Sequence, residues 1–336
     1  MRTLFVWAVT FLLACRVSAA DTLDIYVVDT EGGKAVILLT PDGETMLVDA
    51  GYPTPDDRDT SRIVEAAQAA GIKQFDYIVV THYDADHSGN VPQLDARIPG
   101  KVFVDHGEPP ATLKPESRTR YYEPYVKAIG QRQRMSVKPG DVISMDGLKI
   151  TVVTAGGRAI SQPLPGAGQP NPLAPAQRPT YQERDDNAGS VGLLYQFGPF
   201  RMLDLADLLS SIEHDLVCPK NLVGTVDLFM VSHHGFNVSN AKFLVHAVRP
   251  KAAILNNGTR KGGSPETLDI LKSSPGLSDL WQLHYAPAGG EKNAPPDFIA
   301  NPKDPCEAKL IQVTVQRDGT FTITNTRNAF SKTYKR

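Results

Sequence analysis

The chain has 336 residues, 41% apolar and 21% charged, enough to bury a sizeable core and too apolar for wholesale disorder. Its formal net charge of −2 excludes the global basic field that draws proteins onto nucleic acid or anionic membrane, though a local basic patch stays open.

Arg2 and the apolar run 4–14 have the shape of the n- and h-regions of a secretory signal peptide, and Val17-Ser18-Ala19-Ala20 supplies small residues for cleavage. A signal peptide over 1–20 followed by one domain over 21–336 is the expected organisation. A competing reading takes Leu12-Leu13-Ala14-Cys15 as a lipobox, with Cys15 as a lipid anchor. Either way the mature protein is exported, periplasmic or secreted. No later run is long and apolar enough for a transmembrane helix. Cys218 and Cys306 remain after cleavage, as one disulfide or as two thiols.

Runs 23–29, 34–40 and 45–49 are rich in Val, Ile and Leu and are separated by Gly32-Gly33 and Pro41-Asp42-Gly43, which predicts an antiparallel meander. A helical pattern over 58–70 stops at Gly71. The continuous apolar run 75–81 reads as a strand buried on both faces, with His82 at its C-terminal end. A short strand over 101–105 ends at His106, a helix is predicted over 118–129, and two or three strands over 135–153. Residues 156–184, rich in Pro, Gly and Gln, are long for a loop and suggest a lid or binding loop. Strands 190–197 and 200–205 follow, then a buried strand 226–232 delivering His233-His234. A helix over 240–248, a strand over 252–255 and a helix opened by Ser264-Pro265 come next. Within the tail, 306–336, Asp318-Gly319 turns a β-hairpin. This alternation predicts an α/β protein, a four-layer αββα sandwich without a repeat of fixed period.

His82, Asp84, Asp86 and His87 crowd one turn after a buried strand. Imidazoles and carboxylates so close desolvate and repel one another unless a cation sits among them, and Zn2+, Mn2+ or Fe accept such donors. The alternative is a solvated polar turn with capping aspartates.

The segment Thr81-His82-Tyr83-Asp84-Ala85-Asp86-His87-Ser88-Gly89-Asn90 resembles the metallo-β-lactamase superfamily signature, His-x-His-x-Asp-His, with Asp84 where most members have His. That variant looks like the branch containing the hydrolase domain of bacterial competence (DNA-uptake) proteins and a group of exported phosphodiesterases. Leu47-Val48-Asp49-Ala50-Gly51, Asp186-Asn187, Leu203-Asp204-Leu205-Ala206-Asp207 and Val231-Ser232-His233-His234-Gly235 follow in that branch's order, so the resemblance covers roughly 23–274. It implies His82 and Asp84 at a first metal position, Asp86 and His87 at a second, Asp207 bridging, and His233 or His234 as the last ligand. One or two Zn2+ ions are implied, with Mn2+ or Fe as alternatives. Asp86 and His234 are the implied catalytic groups, Asp86 orienting a metal-activated water. His106, Asp186, Asn187 and Tyr83 are candidates for substrate contacts. His106, Asp185 and Asp186 also compete for the ligand position that many members fill with another His.

These residues imply an exported metal-dependent hydrolase of a phosphodiester or related anionic ester. The alternatives are a β-lactam or lactone hydrolase and a non-catalytic binding protein of the same fold. The partner is then a small-molecule or polymer ester, with no strong nucleic-acid signature.

Overall fold

In the computed structural model, which describes residues 21–181 and 186–335, two mixed sheets pack face to face with helices outside each. The expected signal peptide, Cys15 and Asp185 lie outside the described residues.

The first sheet opens with the expected meander: β1 (Thr22–Val27), β2 (Val36–Leu39) and β3 (Thr45–Val48), paired antiparallel. Helix α1 (Arg58–Ala69) buries Ile63, Ala66 and Ala67 at i, i+3 and i+4 and stops at Gly71, whose φ of 75° is costly for a side-chain-bearing residue. From here the pairing is parallel. β4 (Phe75–Val79) follows β3, α2 (Val91–Asp95) crosses to β5 (Gly100–Asp105), and β6 (Gln133–Ser136) closes the edge. The single helix expected over 118–129 is divided into a short α3 (Pro115–Ser117), a π-helical turn at Arg118–Tyr122 and α4 (Glu123–Ile129). Pro124 removes an N–H from the i→i−4 ladder there, and the turn before it widens.

The second sheet repeats the scheme. β7 (Val142–Met145), β8 (Leu148–Ala155), the short β9 (Arg158–Ala159), β10 (Gly192–Phe197) and β11 (Phe200–Asp204) pair antiparallel. After α5 (Ser210–Val217), parallel strands take over: β12 (Leu228–Met230), α6 (Lys242–Val248), β13 (Ala252–Leu255), α7 (Pro265–Lys272), β14 (Asp279–His284) and β15 (Ile299–Asn301). Ser264 precedes α7 as expected, but its side chain makes no capping hydrogen bond. The chain then returns to the first sheet, where β16 (Ile311–Gln316) pairs with β1. The expected terminal hairpin is a three-stranded meander, because β17 (Phe321–Asn325) is followed by β18 (Phe330–Tyr334).

One apolar layer fills the space between the sheets; Val27, Leu38 and Met46 meet Tyr195, Met202 and Trp281 there. Two further layers sit under the helices, so the fold is the expected αββα sandwich. In each half the antiparallel strands give way to parallel crossovers, which aligns the C-terminal ends of β3, β4, β11 and β12. Such an edge is where open α/β sheets hold their ligands.

The described part of the 156–184 loop does not hang free over that edge. Backbone bonds from Leu164 to Leu222 and from Gly168 to Asn221 fasten it over α5 and α6, and Asn171 Nδ2 donates to the carbonyls of Val217 and Phe243. Near its end, Tyr181 Oη accepts a hydrogen bond from Ser210 Oγ at 2.8 Å. Cys218 and Cys306 are both free thiols. Among the described residues no helix is long and apolar enough to cross a membrane.

Candidate metal centre

The signature turn leaves β4 with backbone bonds from His87 and Ser88 to the Asp84 carbonyl. Gly89 permits it: a Cβ there would lie 2.4 Å from the Ala85 carbonyl oxygen. Asp207 follows β11 after Ala206, which takes a left-handed φ of 50°. His233 and His234 are not consecutive strand residues on opposite faces. They form a 3-10 turn after β12 with φ of 51° and 50°, pinned by Asn240 to Ser232 and by the His233 N–H donating to Ala206. That turn brings both imidazoles to Asp207, with Nε2–Oδ2 distances of 3.6 Å for His233 and 3.3 Å for His234.

Asp86, His87, Asp207 and His234 each place a donor atom within 4.8 Å of the others, and all four are buried. Proton counting shows what they need. His87 Nδ1 lies 2.8 Å from Asp49 Oδ2 and His234 Nδ1 lies 3.0 Å from the Asn256 carbonyl; neither oxygen can donate, so each Nδ1 carries the hydrogen. In neutral imidazoles both Nε2 atoms are then bare, yet they face each other at 3.3 Å and face Asp86 and Asp207 at 3.1–3.4 Å. Only a positive charge among them removes the repulsion. The donor set fits a divalent ion, with Asp49 and Asn256 holding the ligand tautomers from behind. The electrostatics agree. Burial works to raise the Asp86 and Asp207 carboxyls, but the imidazoles of His87 and His234 hold both well below the usual range. Burial works to lower His87, but Asp207, Asp49 and Asp86 hold it well above its ordinary value.

Beside this cage stand the other predicted ligands. His82 Nδ1 lies 3.1 Å from Thr81 Oγ1, whose own hydrogen goes to Asp49, so its Nε2 is also bare. That buried Nε2 has no hydrogen-bond partner and sits 3.7 Å from Asp84 Oδ2. Burial, aided by the charge of His87, lowers the His82 pKa to about 3, so it stays a neutral donor. Asp186 is buried, receives the Tyr83 N–H and is held by His106 Nε2 at 2.8 Å, while its Oδ1 lacks a hydrogen-bond partner. Of the competitors for the remaining ligand position, Asp186 thus has the bare donor and His106 props it. Asn187 lies buried in the next turn. Tyr83 is not disposed to touch substrate: it is fully buried among Tyr122, Tyr125 and His106, and its hydroxyl donates to the Gly107 carbonyl.

Two lysines escaped the sequence reading. Lys34 is buried, with Nζ 2.6 Å from Asp204 and 3.8 Å from Asp49. Lys261 reaches across from the loop after β13, pairs with Asp86 and bonds Tyr52 at 3.1 Å. Burial would lower the Lys261 ammonium, but Asp86 and Asp207 raise it, so it is charged. No motif marks either residue; only the approach of the loop 256–263 to the signature turn reveals Lys261.

Carboxylates and imidazoles thus converge at the strand ends of an αββα sandwich as a candidate metal centre. Residues 29–164 match the profile described as the Metallo-beta-lactamase superfamily. That matched stretch, which includes the signature turn, is similar to this superfamily. It is 26% identical over 199 residues to competence protein ComA of Neisseria gonorrhoeae, covering 58% of this chain and 22% of that one. It is 28% identical over 174 residues to hydroxyacylglutathione hydrolase of Cupriavidus metallidurans, covering 47% and 57%. Over 115 residues it is 28% identical to coenzyme F420H(2) oxidase of Methanothermobacter marburgensis, covering 34% and 26%. The chain therefore spans less than two thirds of the length of each of these relatives.

Proposed function

We propose that this chain is an exported metal-dependent hydrolase that uses a metal-activated water to cleave a phosphodiester or related anionic ester. The observation that carries the reading is the buried set Asp86, His87, Asp207 and His234, whose bare donors share one space. Zn2+ suits these nitrogen and oxygen donors, and Mn2+ or Fe would be accepted by the same set. Bound there, such an ion would lower the pKa of a coordinated water and offset charge building on the attacked phosphorus oxygens.

The chain's own groups divide the remaining work. His82, Asp84 and Asp186 would hold a second ion beside the first. Asp86 would orient the attacking water. His234 acts as a ligand through Nε2, because its Nδ1 hydrogen is committed to Asn256. His233, with 14% of its side chain exposed, is the member of the pair placed to reach a substrate oxygen. Lys261 supports an anionic substrate: its side chain is 27% exposed at the rim, and an ion taking over Asp86 would free its ammonium for a phosphate oxygen.

The test is a substrate panel on protein reconstituted with Zn2+, Mn2+ or Fe2+: an aryl phosphodiester, a chromogenic β-lactam and an acyl lactone. Phosphodiester turnover that falls at least ~100-fold in Asp86→Asn is expected. Turnover of the β-lactam or lactone alone would replace this reading with an amide or ester hydrolase, and no turnover with metal bound would make the chain a binding protein. For export, the mature protein should be recovered outside the cytoplasm with its N-terminus near residue 20; a cytoplasmic full-length chain would contradict it.

A further inference from the structure

A second convergence of metal-binding side chains lies apart from the cage. Asp29 and Glu31 follow β1, His284 ends β14, and Cys306 sits on the segment that carries the chain from β15 back to β16. Each offers a donor atom, all four within 4.8 Å of one another. Asp29 and His284 are fully buried, while Glu31 and Cys306 are partly buried.

The hydrogens here do not suffice. Thr259 Oγ1 donates to Glu31 Oε2 at 3.1 Å, so His284 Nδ1, 3.1 Å from the same Oγ1, must be the donor in that pair. Neutral His284 then has a bare Nε2, yet this atom lies 2.7 Å from Asp29 Oδ1. The thiol of Cys306 has one hydrogen and two carboxylate neighbours, Glu31 Oε1 at 2.7 Å and Asp29 Oδ2 at 3.3 Å. One bare nitrogen thus faces the Asp29 carboxylate, and the single thiol hydrogen serves only one of its two carboxylate neighbours. Arg62 supplies one compensating charge, 2.8 Å from Asp29 Oδ2, 3.7 Å from Glu31 Oε1 and 3.3 Å from the sulfur, from one side of the cluster. With a divalent ion, the thiolate, the two carboxylates and Arg62 sum to zero charge.

We propose that Asp29, Glu31, His284 and Cys306 form a second metal site, independent of the cage, that takes a borderline divalent ion such as Zn2+. One imidazole nitrogen, one thiolate and two carboxylate oxygens make a four-donor set of ligand types that Zn2+ accepts. The ion would tie together the β1 exit, the end of β14 and the β15–β16 crossover, bridging the two sheets. Through Glu31 and Thr259 it also braces the loop bearing Lys261, whose Cβ lies within 2.9 Å of where a Cβ on Gly32 would stand.

Cobalt separates this site from the cage, because sulfur is absent from the cage donors. Full-length mature protein loaded with Co2+ should show a thiolate-to-cobalt absorption band in the near ultraviolet. The band should vanish in Cys306→Ser, persist in Cys218→Ser, and persist in His87→Ala, where the cage is broken. Metal content should drop by about one ion per chain in Cys306→Ser. A second measurement needs no variant: alkylation of Cys306, followed by mass spectrometry with Cys218 as internal reference, should slow at least tenfold when Zn2+ is added to chelator-treated protein. Absence of the band, or equal alkylation with and without Zn2+, would overturn the site.

Discussion

Asp49→Asn tests the tautomer logic of the cage with the smallest change available. Asp49 is fully buried and has a φ of 62°, a left-handed conformation that Asn tolerates and most residues do not, so the backbone can stay as it is. Its Oδ1 accepts the Thr81 N–H at 2.9 Å, which the Asn carbonyl preserves. Its Oδ2 accepts His87 Nδ1–H at 2.8 Å, and an amide NH2 placed there confronts donor with donor. His87 escapes by moving its hydrogen to Nε2, the atom that faces Asp86, Asp207 and His234. A ligand that must give up this hydrogen, and has lost the charge behind it, should bind metal ~10–100-fold more weakly, about 1.4–2.8 kcal/mol. Lys34 keeps its 2.6 Å partner Asp204, so the fold should survive. Competition against a chromophoric chelator measures the affinity, and circular dichroism checks the fold. Unchanged affinity in a folded Asp49→Asn protein would refute the assignment of His87 Nε2 as a metal donor.

Replacing Lys261 with Met should leave metal affinity equal or higher, because a competitor for Asp86 is gone, while raising KM for an anionic ester several-fold; an unchanged KM would remove Lys261 from substrate binding. Glu213 is buried beneath the backbone N–H groups of Asn240 and Ala241, and burial raises its pKa from the ordinary 4.5 to about 8. The folded state therefore holds the proton more tightly than the unfolded one. Its stabilising effect is complete below pH ~4.5, declines as pH rises, and is gone above about 8, a loss of a few kcal/mol. Denaturant titrations from pH 5 to 9 should show this decline, and Glu213→Gln should flatten it. In the core, Tyr334→Phe strands the buried Trp281 Nε1–H, which now donates to Tyr334 Oη at 2.9 Å, and should cost about 1–3 kcal/mol in the same titrations.

The αββα architecture was legible because its signals are local. Apolar runs ending in His82 and His233-His234 read as buried strands, and the order of strands and helices implied two covered sheets. The candidate metal-binding residues were legible because several of them fall in one turn. Other features depend on contacts far apart in sequence. A left-handed turn, set by Asn240, aims both His233 and His234 at Asp207, where strand alternation alone would have separated them. Asp186 and His106, 80 residues apart, are sorted into donor and prop only by their 2.8 Å contact. Tyr83 sits inside the signature but belongs to an aromatic core built from α4 and its preceding π turn. Lys34, Lys261 and the Asp29–Glu31–His284–Cys306 group carry no pattern, since long-range packing alone assembles them. The 156–184 loop reads as a lid from composition, yet Asn171 and its backbone bonds tie it to the outer helices.

Metal quantification on purified wild-type protein beside Asp86→Asn and His87→Ala, each confirmed folded by circular dichroism, bears most directly on the cage. Wild type should retain divalent metal through gel filtration, and each variant should lose at least one equivalent. A folded wild-type protein that takes up no metal, or variants that hold as much as wild type, would show that these carboxylates and imidazoles meet for some other reason.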